Sequence, residues 1–373
     1  MTQTRDKCFP YGVRDGDDGL IDTRAYGEPS AYLKRSGLLS ADDPRAAHGV
    51  EIDEAHSLLP QPELPLRATY YPLGFPLEVF SNSPAVMAAA EESWKTYQPK
   101  FARAPLELRI AVQGDDGTNS TLPPAPICSL QWDILLCVAD ARNFVACDLN
   151  HGRSFGSITR STAESPIYLQ YHFLEAAALS MVTALHAAPV HAACVCPLGS
   201  GMLLCGDSGA GKSSLAYAGA RAGWTFVSDD ASYLPLNGRD RLVVGNGHKI
   251  RFRSSGVELF PELNGRLITL RAAGKPSIEV PTTELSGLAT ADSAVVECIV
   301  FLNRRTPGVD TLVPLSKPSV LPWFMQFITA ATQSRAAQEA AIVRLLSVPI
   351  FELRYRNLDW AVERLERLAA IGR

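Results

Sequence analysis

The stretch Gly206-Asp207-Ser208-Gly209-Ala210-Gly211-Lys212-Ser213 constrains this chain more than any other. It fits the pattern G-x-x-x-x-G-K-[ST] and stands between two segments of opposite character. Before it, Gly201-Met202-Leu203-Leu204-Cys205 is a short apolar run that reads as a buried strand. After it, Ser214-Leu215-Ala216-Tyr217-Ala218 continues as a helix that Gly223 stops. A glycine loop joining a buried strand to a helix N-terminus presents backbone N–H groups at the positive end of the helix dipole. That arrangement cradles polyphosphate. Gly206, Asp207, Ser208, Gly209, Ala210, Gly211, Lys212, Ser213 and Ser214 form the expected binding run, with Lys212 reaching the β- and γ-phosphates and the Ser213 hydroxyl holding Mg²⁺. A plain glycine-rich turn is the bland alternative, and the flanking strand and helix argue against it.

Just beyond that helix, Trp224-Thr225-Phe226-Val227-Ser228 reads as a strand running into Asp229-Asp230. Successive strand side chains point to opposite faces, so the two carboxylates divide their work. One can face Mg²⁺ while the other faces an incoming nucleophile. Taken alone, Asp-Asp reads as a turn; after a phosphate loop, chemistry is the better reading. Upstream, Val190-His191-Ala192-Ala193-Cys194-Val195-Cys196 is a strand-like run joined to Gly201–Cys205 by the turn Pro197-Leu198-Gly199-Ser200, which carries His191 towards the loop. A single histidine in an apolar run is more often structural than catalytic.

These three elements together resemble the catalytic domain of bacterial HPr kinase/phosphorylase. In that family a His precedes the loop lysine by 21 residues and an Asp-Asp pair ends 18 residues after it; His191, Lys212 and Asp230 reproduce both intervals. The resemblance covers about residues 188 to 232 and implies an α/β fold: a P-loop kinase domain of HPr kinase/phosphoenolpyruvate carboxykinase type, with an N-terminal α/β domain. It further implies that Lys212 and Ser213 bind nucleotide phosphates and Mg²⁺, that Asp229 supports the metal, that Asp230 deprotonates the acceptor hydroxyl, and that His191 belongs to the active site. ATP and Mg²⁺ are the implied cofactors. The family's Glu-Ile-Arg-Gly segment is replaced by Lys249-Ile250-Arg251-Phe252-Arg253, and its Pro-Gly-Arg-Asn loop has no counterpart at Leu315-Ser316-Lys317-Pro318-Ser319. These departures speak against phosphorylase activity and against HPr as substrate. The chain looks more like the HPr-kinase-related proteins, some of which are similar to serine kinases acting on peptides beside PqqD-like binding proteins. A serine-containing peptide, protein or small molecule is the expected acceptor, and a homo-oligomer stays open.

Phosphoryl transfer is largely positioning and charge stabilisation, so a cation beyond Lys212 is expected. Arg251 and Arg253, two apart on a probable strand, share a face and suit that task; an exposed charged strand face is the equal alternative. Arg271, Lys275, Arg304 and Arg305 are further basic candidates. Asp230 is expected to orient the hydroxyl at least, since an ordinary carboxylate is a weak base. Three other readings remain. A GTPase or ATPase would use water as acceptor, but no Asn-Lys-x-Asp is present. A phosphoenolpyruvate carboxykinase-like enzyme would need a Lys/His/Asp metal set that is not evident. A non-catalytic nucleotide-binding regulator draws support from the missing Glu.

Organisation follows from composition. The 373 residues allow two domains, and residues 1 to 66 carry 12 acidic against 7 basic side chains among frequent Pro and Gly. They read as a polar, acidic, extended arm. Residues 67 to 160 read as an N-terminal α/β domain: a helix from Ser83-Pro84 to Tyr97, then strands over 106–112, 127–138 and 143–148. Residues 161 to 373 form the expected catalytic domain. Within it a helix runs from Ser165-Pro166 to about His186, a near-continuous apolar strand covers 295–302, and a long helix covers Trp323 to about Leu346. A strand at 351–355 and an amphipathic terminal helix capped by Asn357 complete it. His172 and His186 lie on the first helix and read as surface or core residues.

A net charge of −4 excludes sequence-independent nucleic-acid binding. The eight cysteines lie mostly in apolar runs and read as small hydrophobes, with Cys194 and Cys196 on one strand face and no zinc-type partners. Without an apolar leader or a membrane-length run, the chain is expected in the cytoplasm with its thiols reduced.

Overall fold

The computed structural model describes residues 62–371 apart from 115–121, 239, 271–275, 305–307 and 329–333. Nearly all of the expected acidic arm lies outside the described residues. The chain is mixed α/β, and its strands fall into three sheets.

The first sheet comprises β1 (Leu66–Tyr70), β2 (Leu77–Ser81), β3 (Leu106–Gln113), β4 (Ile127–Gln131), β5 (Ile134–Val138), β6 (Phe144–Asp148) and β7 (Arg153–Thr159), in the order β1-β2-β3-β7-β6-β5-β4. Helix α1 (Pro84–Trp94) joins β2 to the parallel β3. Alternation decides the inner face: Leu77, Val79, Leu106, Leu108 and Ile110 are buried against Val86 and Trp94 of α1 and Phe173, Leu174 and Met181 of the next helix. That helix, α2, runs over 166–185 in three parts: α-helical Pro166–Leu169, π-helical Gln170–Glu175 and α-helical Ala176–Leu185.

The expected strand over 127–138 is a hairpin instead. Trp132 and Asp133 both adopt positive φ, 55° and 63°, and reverse the chain without the glycine that usually marks such a turn. The hairpin places Cys128 opposite Cys137, and the two form a disulfide, which corrects the expectation of uniformly reduced thiols. Cys147, Cys194, Cys196, Cys205 and Cys298 are free and buried.

The second sheet holds β8 (Ala187–Val190), β9 (Ala192–Cys196), β10 (Gly201–Cys205), β11 (Thr225–Ser228), β12 (Ser232–Pro235), β13 (Leu242–Gly245), β17 (Ser293–Asn303), β18 (Thr311–Pro314) and β19 (Ile350–Arg354). The third is β14 (Lys249–Arg253), β15 (Ile268–Leu270) and β16 (Pro276–Pro281). Strand β17 is central: it lies parallel to β10 and β19 and antiparallel to β13, and its apolar side chains Val296, Ile299 and Val300 are fully buried. Helix α3 (Lys212–Arg221) buries Leu215, Ala216 and Ala220. Gly219 must lack a side chain, because a Cβ there would sit 2.1 Å from the buried Trp224 ring. The expected long helix over 323–346 is two helices, α4 (Lys317–Met325) and α5 (Arg335–Leu345), and α4 carries Pro322. Helix α6 (Leu358–Ile371) buries Ala361, Leu365 and Ala369, and its first turn is capped by Asn357, whose Oδ1 accepts from the Trp360 N–H at 2.8 Å.

One feature of the second sheet positions the site. The apolar run 190–196 is broken at His191: β8 pairs with β12, whereas β9 pairs with β10 and β11. The run 225–235 breaks likewise, since β11 pairs with β9 and β12 with β8, leaving Asp229 and Asp230 at the step. Buried serines stitch the two breaks together. Ser228 Oγ accepts from the Cys194 N–H at 3.1 Å and lies 2.8 Å from Ser232 Oγ, which donates to the Ala192 carbonyl at 3.1 Å. Where strands change partners, side chains leave the sheet, and here they leave it towards the glycine loop.

Candidate active site

Loop 206–211 follows β10 directly and enters α3 at Lys212. Gly209 and Gly211 have φ of 90° and 99°, the left-handed region that favours glycine. Gly211 is doubly required, because a Cβ on it would sit 2.8 Å from the Tyr355 hydroxyl. The backbone at these two positions is therefore free of side chains, while the Ala210 N–H donates within the loop to the Asp207 carbonyl at 3.0 Å.

Lys212 is 5% exposed, unusual for a lysine, and its Nζ is turned back under the loop. It donates to the Gly206 carbonyl at 2.7 Å and lies 3.0 Å from His191 Nε2. Burial lowers the Lys212 pKa, opposed by Asp230, Asp207 and Asp229 nearby. Burial also lowers that of His191, assisted by the Lys212 charge. In the neutral form His191 Nε2 accepts a hydrogen bond from the lysine and Nδ1 faces Asp230, whose Oδ1 is 3.7 Å away. Lysine, histidine and carboxylate thus form a line across the mouth of the loop.

The two aspartates go to different places, from a bend between β11 and β12 rather than from one alternating strand. Asp229 is 6% exposed, and its Oδ2 accepts the Arg251 backbone N–H at 2.7 Å. Its backbone carbonyl accepts from Ser213 Oγ at 3.4 Å, so Ser213 and Asp229 adjoin. The Asp230 side chain is 42% exposed beside His191, open to a second substrate. Hard oxygen donors from one hydroxyl and one carboxylate suit Mg²⁺, which takes few protein ligands and completes its shell with water and substrate phosphates. No group of three or more His, Cys, Asp or Glu able to hold a metal is found among the described residues.

Arg251 and Arg253 separate. Arg253 Nη2 donates to Ser208 Oγ at 2.9 Å and lies over Gly209, placing a guanidinium on the rim of the loop. Arg251 is engaged elsewhere: its Nε donates to Glu279 Oε1 at 3.0 Å and its guanidinium stands 5.8 Å from the centre of the Tyr171 ring. Its expected role as a phosphate-facing cation is therefore not where its side chain is found. Arg304, exposed at the end of β17, flanks Gly211 and stands over the Tyr355 ring. Arg271, Lys275 and Arg305 lie outside the described residues. Ser214 continues into α3, half-buried.

Sequence reasoning did not find Tyr171, Glu279 or Phe327. Phe327 lies 5.6 Å from the His191 ring and 4.8 Å from Trp323, walling one side of the site. Tyr171 and Phe327 come from segments whose periodicity reports only helix. Glu279 was visible as the one acid in an otherwise apolar strand. His172 and His186 lie away from this line of residues, His172 against Tyr168 and His186 against Phe75.

No family model matches this chain, and no curated protein matches it. Among solved structures it is similar to the Hpr(Ser) kinase/phosphatase from Coxiella burnetii, at 17% identity over 49% of this chain and 93% of that one, with a TM-score of 0.31. At that level the likeness adds no weight to the geometry. No helix among the described residues is long and apolar enough to cross a membrane.

Proposed function

We propose that the chain is an ATP- and Mg²⁺-dependent kinase that transfers the γ-phosphoryl group to a serine hydroxyl of a peptide, protein or small molecule. One observation carries this reading: Lys212, the phosphate-loop cation, and Asp230, an accessible carboxylate, flank the same neutral histidine, at 3.0 Å and 3.7 Å from its two ring nitrogens. A binding loop alone needs no such carboxylate. A transferase needs one to hold the attacking hydroxyl beside the phosphate.

In this reading the loop amides and Lys212 bind the triphosphate, Lys212 exchanging the Gly206 carbonyl for phosphate oxygens. Ser213 and Asp229 would hold Mg²⁺, which when bound neutralises developing charge on the β- and γ-phosphates. Asp230 accepts the hydrogen bond of the serine hydroxyl and takes its proton as the new O–P bond forms and the bond from the γ-phosphorus to the ADP oxygen breaks. His191 keeps Asp230 and Lys212 apart in fixed geometry. Arg253 meets charge gathering on the transferred group from the rim, the task assigned above to either arginine. Residues 161–373 then carry the kinase chemistry, with helix α2 at their start packed into the core of the first sheet formed by residues 67–160, and the reaction runs one way.

Incubation with ATP labelled at the γ-phosphate, Mg²⁺, serine-containing peptides and free serine tests the proposal. Label should enter a serine acceptor with the wild type and not with Asp230→Asn. Release of label only as inorganic phosphate, at equal rate in both proteins, would replace a kinase with a hydrolase.

A further inference from the structure

The metal-side carboxylate is held by a chain of contacts that begins on a different sheet. Asp229 Oδ2 accepts the backbone N–H of Arg251, so its position follows strand β14 at that residue. The ladder between β14 and β16 holds the strand, and the Arg251 side chain ties it further at this residue. Arg251 lies directly across from Glu279 in the β14/β16 register, and Nε donates to Glu279 Oε1 at 3.0 Å. The same Glu279 oxygen accepts from the Tyr171 hydroxyl, and the Tyr171 ring receives the guanidinium at 5.8 Å. Both charged side chains are largely withdrawn from solvent, 23% and 16% exposed, where a paired charge is costly to disturb.

Tyr171 is supplied by the π-helical turn Gln170–Glu175. A π turn admits an extra residue and re-aims the side chains it carries, and such turns gather at functional sites. Around it, Phe173 and Leu174 are locked into the core of the first sheet. Four segments distant in sequence, at 171, 229, 251 and 279, therefore meet in one line of contacts. Burial disfavours the Arg251 charge, but Glu279, with Tyr171 and Asp229 beside it, outweighs burial and holds the guanidinium pKa above its ordinary value; burial raises the Tyr171 pKa, opposed by Arg251 and aided by Glu279.

We propose that Tyr171 and Glu279 are positioning residues for Asp229, acting through Arg251, and that their work is to hold one Asp229 oxygen on the Arg251 N–H so that the carboxylate keeps a fixed aim beside Ser213. This rests on the kinase reading, within which Asp229 serves the metal. Arg251 is thereby a structural intermediary and not a group that touches phosphate.

The test compares wild type, Tyr171→Phe and Glu279→Gln in the full chain, reading thermal stabilisation by ATP as Mg²⁺ is titrated, with tripolyphosphate in parallel. Tyr171→Phe keeps the ring and removes only the donor. Removing partners that orient a metal ligand typically weakens metal affinity about tenfold or more. The Mg²⁺ concentration for half-maximal stabilisation should rise about tenfold in Tyr171→Phe, with metal-free nucleotide and tripolyphosphate binding changed less than about twofold. In turnover, the apparent KM for Mg²⁺ should rise with kcat recovered at saturating metal. Glu279→Gln, which leaves the guanidinium uncompensated, should show a larger rise, and Glu279→Asp partial recovery. An unchanged Mg²⁺ midpoint in both variants, or equal weakening with and without metal, overturns the positioning role. A wild type lacking any Mg²⁺-dependent stabilisation overturns the kinase reading instead.

Discussion

Lys212 Nζ lies 3.0 Å from His191 Nε2, so the lysine that ends the glycine loop rests on a histidine. Burial lowers the pKa of both groups, and the contact requires the histidine to be neutral. His191 then orders the site by occupying the space between Lys212 and Asp230. His191→Ala should leave ATP binding within about threefold of wild type and slow transfer about a hundredfold, the scale of a reacting group displaced by about 1 Å. Binding by calorimetry and turnover by label transfer check the two halves separately.

The different surroundings of the two aspartates predict different losses. Asp230→Asn should bind Mg·ATP nearly as wild type and lose transfer by about a hundredfold or more. Asp229→Asn should weaken Mg²⁺-dependent binding as well, because the residue adjoins Ser213 through its backbone carbonyl and its buried carboxylate is aimed by the Arg251 N–H on Oδ2. Two variants with wild-type turnover would end the kinase assignment.

The two arginines of β14 should separate in the same assay. Arg253→Ala removes a guanidinium from Ser208 and should lower kcat about tenfold or more with little change in melting temperature. Arg251→Ala leaves Glu279 and Tyr171 without their partner and should cost stability first, about 3 kcal/mol, the scale of a broken buried ion pair.

Acid should destabilise the fold through its half-buried histidines. Burial lowers the folded-state pKa of His172 to about 4, and His186, His191 and His248 are lowered for the same leading cause. The unfolded chain therefore binds more protons than the native one between about pH 4 and the ordinary histidine pKa near 6.5, and stability rises with pH across that window. Melting temperature should be level above pH 7 and fall progressively towards pH 4. His172→Gln should flatten the slope; an unchanged slope would show that His172 is already protonated in the native state.

Much of this arrangement is legible in the sequence. The loop announces itself by composition, and the burial of Leu203, Leu204 and Val300 follows from unbroken apolar runs. The break at His191 does not announce itself, because 190–196 reads as one strand and nothing local reports that its two halves pair with different neighbours. Periodicity puts Arg251 and Arg253 on one face but is silent about what stands opposite; Glu279 across the β14/β16 register decides that, at a separation of 28 residues. The division of the expected helix is hidden because no Gly or Pro stands between Met325, where α4 ends, and Arg335, where α5 begins. Trp132 and Asp133 turn the β4–β5 hairpin at positive φ, a conformation their residue types do not advertise.

The central claim is that loop 206–213 binds the triphosphate through Lys212, and thermal unfolding of wild type and Lys212→Ala with millimolar ATP and Mg²⁺ tests it most directly. Stabilisation follows the ratio of free ligand to its dissociation constant, so a hundredfold excess gives about 2.7 kcal/mol and a shift of several degrees. The wild type should show that shift and Lys212→Ala should not, although both fold. An equal shift in the two proteins would place ATP elsewhere and contradict the account.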